Sequence, residues 1–433
     1  MQNAPGASVH LLDEVAPLRE VLVWGEPGVE ALLGQLLPRA RSLFFSSYET
    51  IEARAEFRRM QAMIEQEGIK VIRAKDAAAH FLNGKSAQNF PQSLRELEGR
   101  LQQRADEYYE TYKQVKTRDF ASEGIRQSIE DIYLEVKSDI RRILAEDVET
   151  YGEDATIRLN HRLSLSQPLP LANIFYGRDQ SQALADKIVM TKLKWRIRRP
   201  EVDVFQQSLT ALGYNALTRV EEGTLEGGDV CILGDTCYIG VGARTTFTAV
   251  EDLCRKVGPL LDQHGIQIVA VVNKRHVDEA ALFGAPTDEH MHIMHLDMFW
   301  IPLSRKLVLA YGAEVDQREV IRVTSNHGQI ATEELGPFRQ FLFNKGIEML
   351  EVSEQEQQNF ATNLLNLGNG TVIVALSKNE RVLLELESRG FRVLSAELNK
   401  LVGGAGAIHC LTAPVKRGEG DLSPIPLPES GRG

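Results

Sequence analysis

Basic residues are in deficit along this 433-residue chain: 49 Lys and Arg stand against 60 Asp and Glu, a formal net charge of -11. Nucleic acid and anionic membrane surfaces need the opposite surplus, so neither is an expected partner. Cysteine is scarce, with four residues (Cys231, Cys237, Cys254, Cys410) and no CxxC pair, which argues against a disulfide scaffold and a structural zinc site. No run approaches the ~18 consecutive apolar residues of a membrane span. The opening MQNAPGASVH has no basic stretch leading into an apolar one, so nothing signals export. These absences leave a soluble, cytoplasmic, acidic protein. Its 43% apolar content is enough for a sizeable core.

What the chain does have is a recurring unit. Five times a helix-like stretch turns at a glycine and enters a short apolar run: EGIKVI (67–72), LGYNAL (212–217), HGIQIV (264–269), KGIEML (345–350) and RGFRVL (389–394). Glycine takes the left-handed conformation that ends a helix, and the run beyond it reads as a buried strand. Further strand-like runs precede these units, among them REVLVWG (19–25), CYIGVG (237–242), KLVLAYG (306–312) and GTVIVALS (370–377). The expected fold is therefore α/β, a five-fold pseudo-symmetric propeller of ββαβ modules in one domain spanning 9–417. Five ordinary turns in an open α/β sheet would give the same local pattern. One interval is longer than the rest, and about residues 91–165 read as an inserted helical subdomain. Its centre is proline-free, with charged i,i+4 pairs. The Gly-, Pro- and Ser-rich tail, 418–433, is expected to be disordered.

Four segments hold the candidate chemistry. NIFYGRDQ (173–180) sets Arg178 and Asp179 at the end of an apolar run, although such a pair is also a common surface ion pair. LEGGDV (225–230) places two glycines between Glu226 and Asp229, allowing a sharp turn or close approach. A carboxylate-flanked turn without function is the plainer reading. EHMHIMHLDMFW (289–300) offers His290, His292, His295 and Asp297. As a strand it would put His295 and Asp297 on one face, with a metal site as the rival reading and His290 and His292 as polar or packing residues. GGAGAIHCLTAP (403–414) delivers Cys410 from a flexible glycine run that could move as a lid, although a lone cysteine is most often buried filler. Cys231, Cys237 and Cys254 sit in strand and helix patterns and read as core. Together the acids suit a planar guanidinium, Cys410 a nucleophile and His295 an acid and base; no cofactor or metal is required.

With these segments assembled, the chain resembles the arginine deiminases of the guanidino-group-modifying superfamily from about Val9 to Arg417. The motifs are a Y-x-R-D segment, LEGGD, GARTT, HLD before an aromatic, and a Gly-rich HCLT. The resemblance implies Cys410 as nucleophile and His295 as general acid/base. It implies Asp179 and Asp297 as guanidinium ligands, with Glu226 as another that also contacts His295. Asp229 would brace the turn. Tyr176 would lie against the guanidinium where the family has Phe, and Asn173 would reach the substrate's α-carbon groups. Arg198 and Arg244 would grip the α-carboxylate, which accounts in part for the basic cluster KLKWRIRR (192–199). A homo-oligomer acting on arginine or a related guanidino compound is implied as well.

Two departures touch substrate enclosure. Ala405 stands where the family carries an Arg that helps bind the carboxylate and gate the site. FFSSYE (44–49) has Ser46 and Ser47 where the family has acids. The expected reaction is arginine to citrulline and ammonia through a covalent thiouronium. The rival outcomes are an arginine dihydrolase, an amidinotransferase or a catalytically silent binding protein.

Overall fold

The structure is a computed structural model and describes residues 7–44, 46–81, 90–120, 128–273 and 293–418. The tail beyond 418 lies outside the described residues, as do His290 and His292.

Each of the five glycine punctuations forms as the local chemistry requires. Helices Thr50–Gln66, Arg199–Ala211, Phe247–Gln263, Phe338–Asn344 and Glu380–Ser388 are followed by Gly68, Gly213, Gly265, Gly346 and Gly390. All five glycines have φ between +65° and +91°. A side chain there would crowd the following carbonyl, so glycine ends the helix and the chain reverses into a strand.

Among the described residues the strands make five sheets with one shared plan: an antiparallel pair, then a strand parallel to its second member. The first sheet contains β1 (Leu18–Val23) and β2 (Lys70–Arg73), which run parallel. The second is β3 (Ser181–Leu184), β4 (Lys187–Met190) and β5 (Leu217–Arg219). The third joins β6 (Val230–Leu233), β7 (Thr236–Val241) and β8 (Gln267–Asn273). The fourth sets β9 (Trp300–Ser304) against β10 (Leu307–Ala310), while a hairpin of β11 (Arg318–Asn326) and β12 (Gln329–Pro337) extends the third sheet beyond β8. The fourth is completed by β13 (Glu348–Glu351). The fifth is β14 (Leu365–Gly368), β15 (Thr371–Val374) and β16 (Arg392–Ser395). Finally β17 (Thr412–Arg417) returns to the first sheet, antiparallel to β1 with Thr412 opposite Val23.

The expected closed ring needs qualifying. The fold is mixed α/β with five repeated modules, but among the described residues each sheet is open and no strand ladder joins one sheet to the next. The hairpin β11–β12 is an addition the repeat pattern did not foresee. It turns on His327 and Gly328 at φ +48° and +83°, the doubly left-handed geometry that matches strand twist in a two-residue loop.

Four apolar clusters among the described residues hold these elements together. One large core carries Val21, Val23, Trp24, Phe57, Val189, Phe205, Ile239 and Ile408 beneath the modules. A separate cluster joins the long helices Leu94–Phe120 and Ile129–Tyr151 through Leu97, Leu101, Ile132, Val136, Ile140 and Ile143. The spacing of three and four gives each helix one apolar stripe. Ser128 starts the second helix by accepting from the Asp131 N–H, and the Asp131 carboxylate reciprocates. Among the described residues no helix is long and apolar enough to cross a membrane.

Buried charges fasten these helices to the modules. Arg54, 1% exposed, donates to the Pro27 carbonyl at 2.7 Å and to Glu146 and Asp147 on the second long helix. Removing one partner of such a network strands the others in low dielectric. Arg54→Ala is expected to cost about 3 kcal/mol or more of unfolding free energy, read as a lower urea midpoint with unchanged slope. An unaltered midpoint would contradict this account.

Candidate active site

Each module delivers a short turn just ahead of its first strand, and the candidate chemistry sits on those turns. Gly177–Gln180 leads into β3 and carries Asp179. Gly227–Asp229 leads into β6, with Glu226 immediately before it. His295 and the turn Leu296–Met298 precede β9. Ile408–Leu411 leads into β17 and carries Cys410. The module of β14 contributes Asn363, two residues ahead of its first strand.

Glycine lets the turns approach one another. A Cβ on Gly227 would lie 2.0 Å from the Arg178 carbonyl oxygen, and one on Gly228 would lie 2.8 Å from His295 Nδ1. A Cβ on Gly404 or Gly406 would strike the Tyr176 ring, whose hydroxyl donates to the Leu401 carbonyl at 2.9 Å.

The charged groups form two linked sets, all buried. In the first, His295 Nε2 is 2.7 Å from Glu226 Oε2, and His295 Nδ1 is 3.8 Å from Asp179 Oδ1. Arg198 donates to Asp179 Oδ2 at 2.7 Å, to Glu201 at 3.0 Å and to the Asn173 carbonyl at 3.3 Å. Arg244 lies 3.3 Å from Glu226 Oε2. In the second set, His409 Nδ1 is 2.6 Å from Asp297 Oδ2, which is 4.0 Å from Cys410 Sγ. His409 Nε2 faces Glu14 at 3.6 Å. Asp179 Oδ1, Asp297 Oδ1 and His295 Nδ1 have no hydrogen-bond partner among the described residues, a state that costs about 1–3 kcal/mol for each such group.

The electrostatics follow from burial and charge together. Burial alone would raise the Glu226 pKa, but Arg244 and His295 hold it well below the usual carboxylate range. Burial alone would lower that of His295, but Asp179, the Glu226 hydrogen bond and Asp229 carry it up to about 9. Burial pushes Asp229 up to about 7 against the opposing pull of His295, Thr245 and the Leu296 N–H. Burial, then Asp297 and Asp179, push the Cys410 thiol well above its ordinary value.

Every site residue expected from sequence falls in or beside this region; two local readings are corrected, and three polar side chains already have partners. His295 and Asp297 are not on a strand. The Leu296 N–H donates to Asp229 Oδ1, and the Met298 carbonyl accepts from Gln357 and Thr362, so the backbone is satisfied sideways and turns. Arg178 and Asp179 are no surface pair. Arg178 is fully buried and donates to the Thr412 carbonyl at 2.8 Å, while Asp179 faces Arg198. Arg198 and Arg244 are engaged by the site's own carboxylates. Asn173 donates its side-chain amide to the Ser42 carbonyl at 2.6 Å. Asp229 does brace the turn, accepting from Thr245 as well as Leu296. Tyr176, Asp179, Arg198, Arg244, Ala405 and Cys410 line one cavity. Ala405 holds φ +73°, a left-handed conformation that strains any side chain.

Asp179, Glu226 and His295 present ligand atoms within 4.8 Å of one another, a spacing a metal ion would accept. Both carboxylates already have a cationic partner, Arg198 on Asp179 and Arg244 on Glu226. Sequence reasoning missed Glu14, Asn363 and His409. Only His409, next to the cysteine, carried a local signal.

Comparison with known proteins bears on the fold and the family. In fold, the chain is similar to SxtG, an amidinotransferase from Microseira wollei in the saxitoxin biosynthetic pathway. The TM-score is 0.52 at 15% identity, covering 96% of this chain and 99% of that one. The arginine deiminase family model matches residues 41–417, and the chain belongs to that family, a family of hydrolases acting on amidine C–N bonds. It is 27% identical to the arginine deiminase of Mycobacterium marinum over 282 residues, 60% of this chain and 64% of that protein. Over 244 residues it is 24% identical to the uncharacterised YkgA of Bacillus subtilis, covering 56% and 70%.

The raised pKa of His295 has a sign that can be checked. A histidine at 6.5 unfolded and about 9 folded adds stability that is whole below pH 6.5 and lost as pH rises through 9. The difference in unfolding free energy between wild type and His295→Asn should therefore shrink between about pH 6 and about pH 10. A difference that stayed constant would remove this assignment.

Proposed function

We propose that the protein hydrolyses the guanidino group of L-arginine to L-citrulline and ammonia through a covalent thiouronium on Cys410. The observation that carries the reading is the pairing of a buried thiol with two buried carboxylates, Asp179 and Asp297, each holding an unpartnered oxygen. A guanidinium is planar and cationic and donates N–H bonds in a fork, so it satisfies such oxygens directly. Its charge also offsets what keeps the thiol protonated, since burial, Asp297 and Asp179 are the causes.

In this mechanism the Cys410 thiol gives up its proton to solvent as the guanidinium binds, and the thiolate sulfur bonds to the guanidinium carbon. The C–N bond breaks, and the departing nitrogen leaves as ammonia with a proton from His295. Water then adds to the same carbon, returning a proton to His295. The C–S bond breaks to release the ureido product. Glu226 keeps His295 in position and protonated at the start of the cycle. Tyr176 packs beside the substrate, with Asn173, Arg198 and Arg244 toward its α-carbon end. The two arginines must share or exchange Asp179 and Glu226 to reach a carboxylate. The ring-like arrangement of the five modules and the helical insertion at about 91–165 belong to the same proposal.

A second reading keeps the thiouronium and changes its fate. The fold likeness to an amidinotransferase over nearly the whole chain favours examining transfer to an amine. Ala405 removes the side chain that would close the carbon beyond the reacting end.

Incubation with arginine, agmatine and methylated arginine, with and without added glycine or lysine, separates these outcomes. Citrulline is expected from arginine, and Cys410→Ala should lower its formation by at least ~1,000-fold. Ornithine, a transferred amidino group, or full activity without the thiol would each sink the deiminase reading.

A further inference from the structure

Burial and two carboxylates all oppose a thiolate at Cys410, so whatever favours the ionised sulfur must come from donors within reach. Asn363 is one of them. Its Nδ2 is 3.2 Å from Cys410 Sγ, and the residue is fully buried. The amide can point only one way. Its Oδ1 accepts from the backbone N–H groups of His409 at 3.1 Å and Cys410 at 3.4 Å, and an amino group there would face two donors. Asn363 also occupies the fifth of the equivalent positions, the turn ahead of a first strand, where the other four modules place Asp179, Glu226, His295 and Cys410.

We propose that Asn363 is the residue that stabilises the Cys410 thiolate. Its oxygen fixes the turn that carries the cysteine, and its N–H donates to the sulfur. A neutral donor suits the task. It favours the charged sulfur far more than the thiol, which is a weak acceptor, without adding a cation that would repel the guanidinium. It acts twice in the cycle, when the thiolate attacks and when it departs. The other groups facing the sulfur are Asp297 at 4.0 Å, Asp179, the Tyr176 phenol and the Ala407 N–H. Arg198 and Arg244 line the same cavity, and His409 is turned away onto Asp297. The proposal rests on Cys410 as the nucleophile, but its test needs no turnover.

The test is the pH profile of Cys410 alkylation by iodoacetamide, followed on the Cys410 peptide by mass spectrometry. Asn363→Ala should raise the midpoint by about one pH unit, a usual effect of losing a hydrogen bond to a charged group. Asn363→Asp keeps the shape and both backbone contacts but sets a carboxylate against the sulfur, so its midpoint should rise further. A merely structural role would leave the alkylation midpoint of Asn363→Ala at the wild-type value, and that result overturns the proposal. Should either variant fail to fold, the side-chain amide signal of Asn363 in wild type gives the same reading by NMR. It should titrate with the alkylation midpoint and stay still in Cys410→Ala; no titration in wild type overturns the proposal. Loss of citrulline production with an intact alkylation profile would count against the deiminase reading alone.

Discussion

A single buried guanidinium, that of Arg178, holds the turns of the site in their places. Its Nε donates to the Thr412 and His409 carbonyls, which fixes the cysteine turn from below. A second arm reaches Glu14, which also meets Arg417 and faces His409. Its own backbone carbonyl lies against Gly227, so the next module's turn settles on it. None of these contacts involves a reacting group. They bring segments more than two hundred residues apart into register, and the chemistry follows from that register. Arg suits the position because its planar fork serves several acceptors at once, where a lysine ammonium would serve as a point charge.

The site is held together against its own electrostatics. Two acids with unpartnered oxygens, Asp179 and Asp297, beside a buried thiol make an arrangement that favours a cation at its centre. Arg198 and Arg244 temper that demand by pairing with Asp179 and Glu226. The same contacts that make the folded protein tolerable set how tightly a guanidinium can bind, because each must be shared or broken when substrate arrives.

Much of this was readable from the chain alone, and the reason is local. A glycine in the left-handed region is a requirement that no neighbour can supply, so five helix ends and five strand starts announced themselves. The LEGGD and HLD segments were readable only together, as parts of one set of motifs that a guanidinium would need. What stayed hidden depended on partners far along the chain. The turn at Leu296–Met298 exists because Asp229, Gln357 and Thr362 take up its backbone groups. Asn363 lies in the plain stretch TNLLNL, and only its place before a strand, compared across five modules, marks it. The engagement of Arg198 by Asp179 and Glu201 could not be foreseen from the basic cluster at 192–199, which offers the arginine and not its partners.

The seating of β17 on β1 has a consequence for how the molecule comes into being. The sheet that carries the cysteine turn cannot be completed until a segment near residue 412 meets one near residue 23. The early modules can collapse around their own glycine-ended helices, yet the thiol joins the acids only when those two segments meet. Contacts of such long sequence separation are slow to form, and until they do the acids of the earlier modules stand near one another without the sulfur. A reactive cysteine is thus kept out of its electrostatic setting until two distant segments have paired.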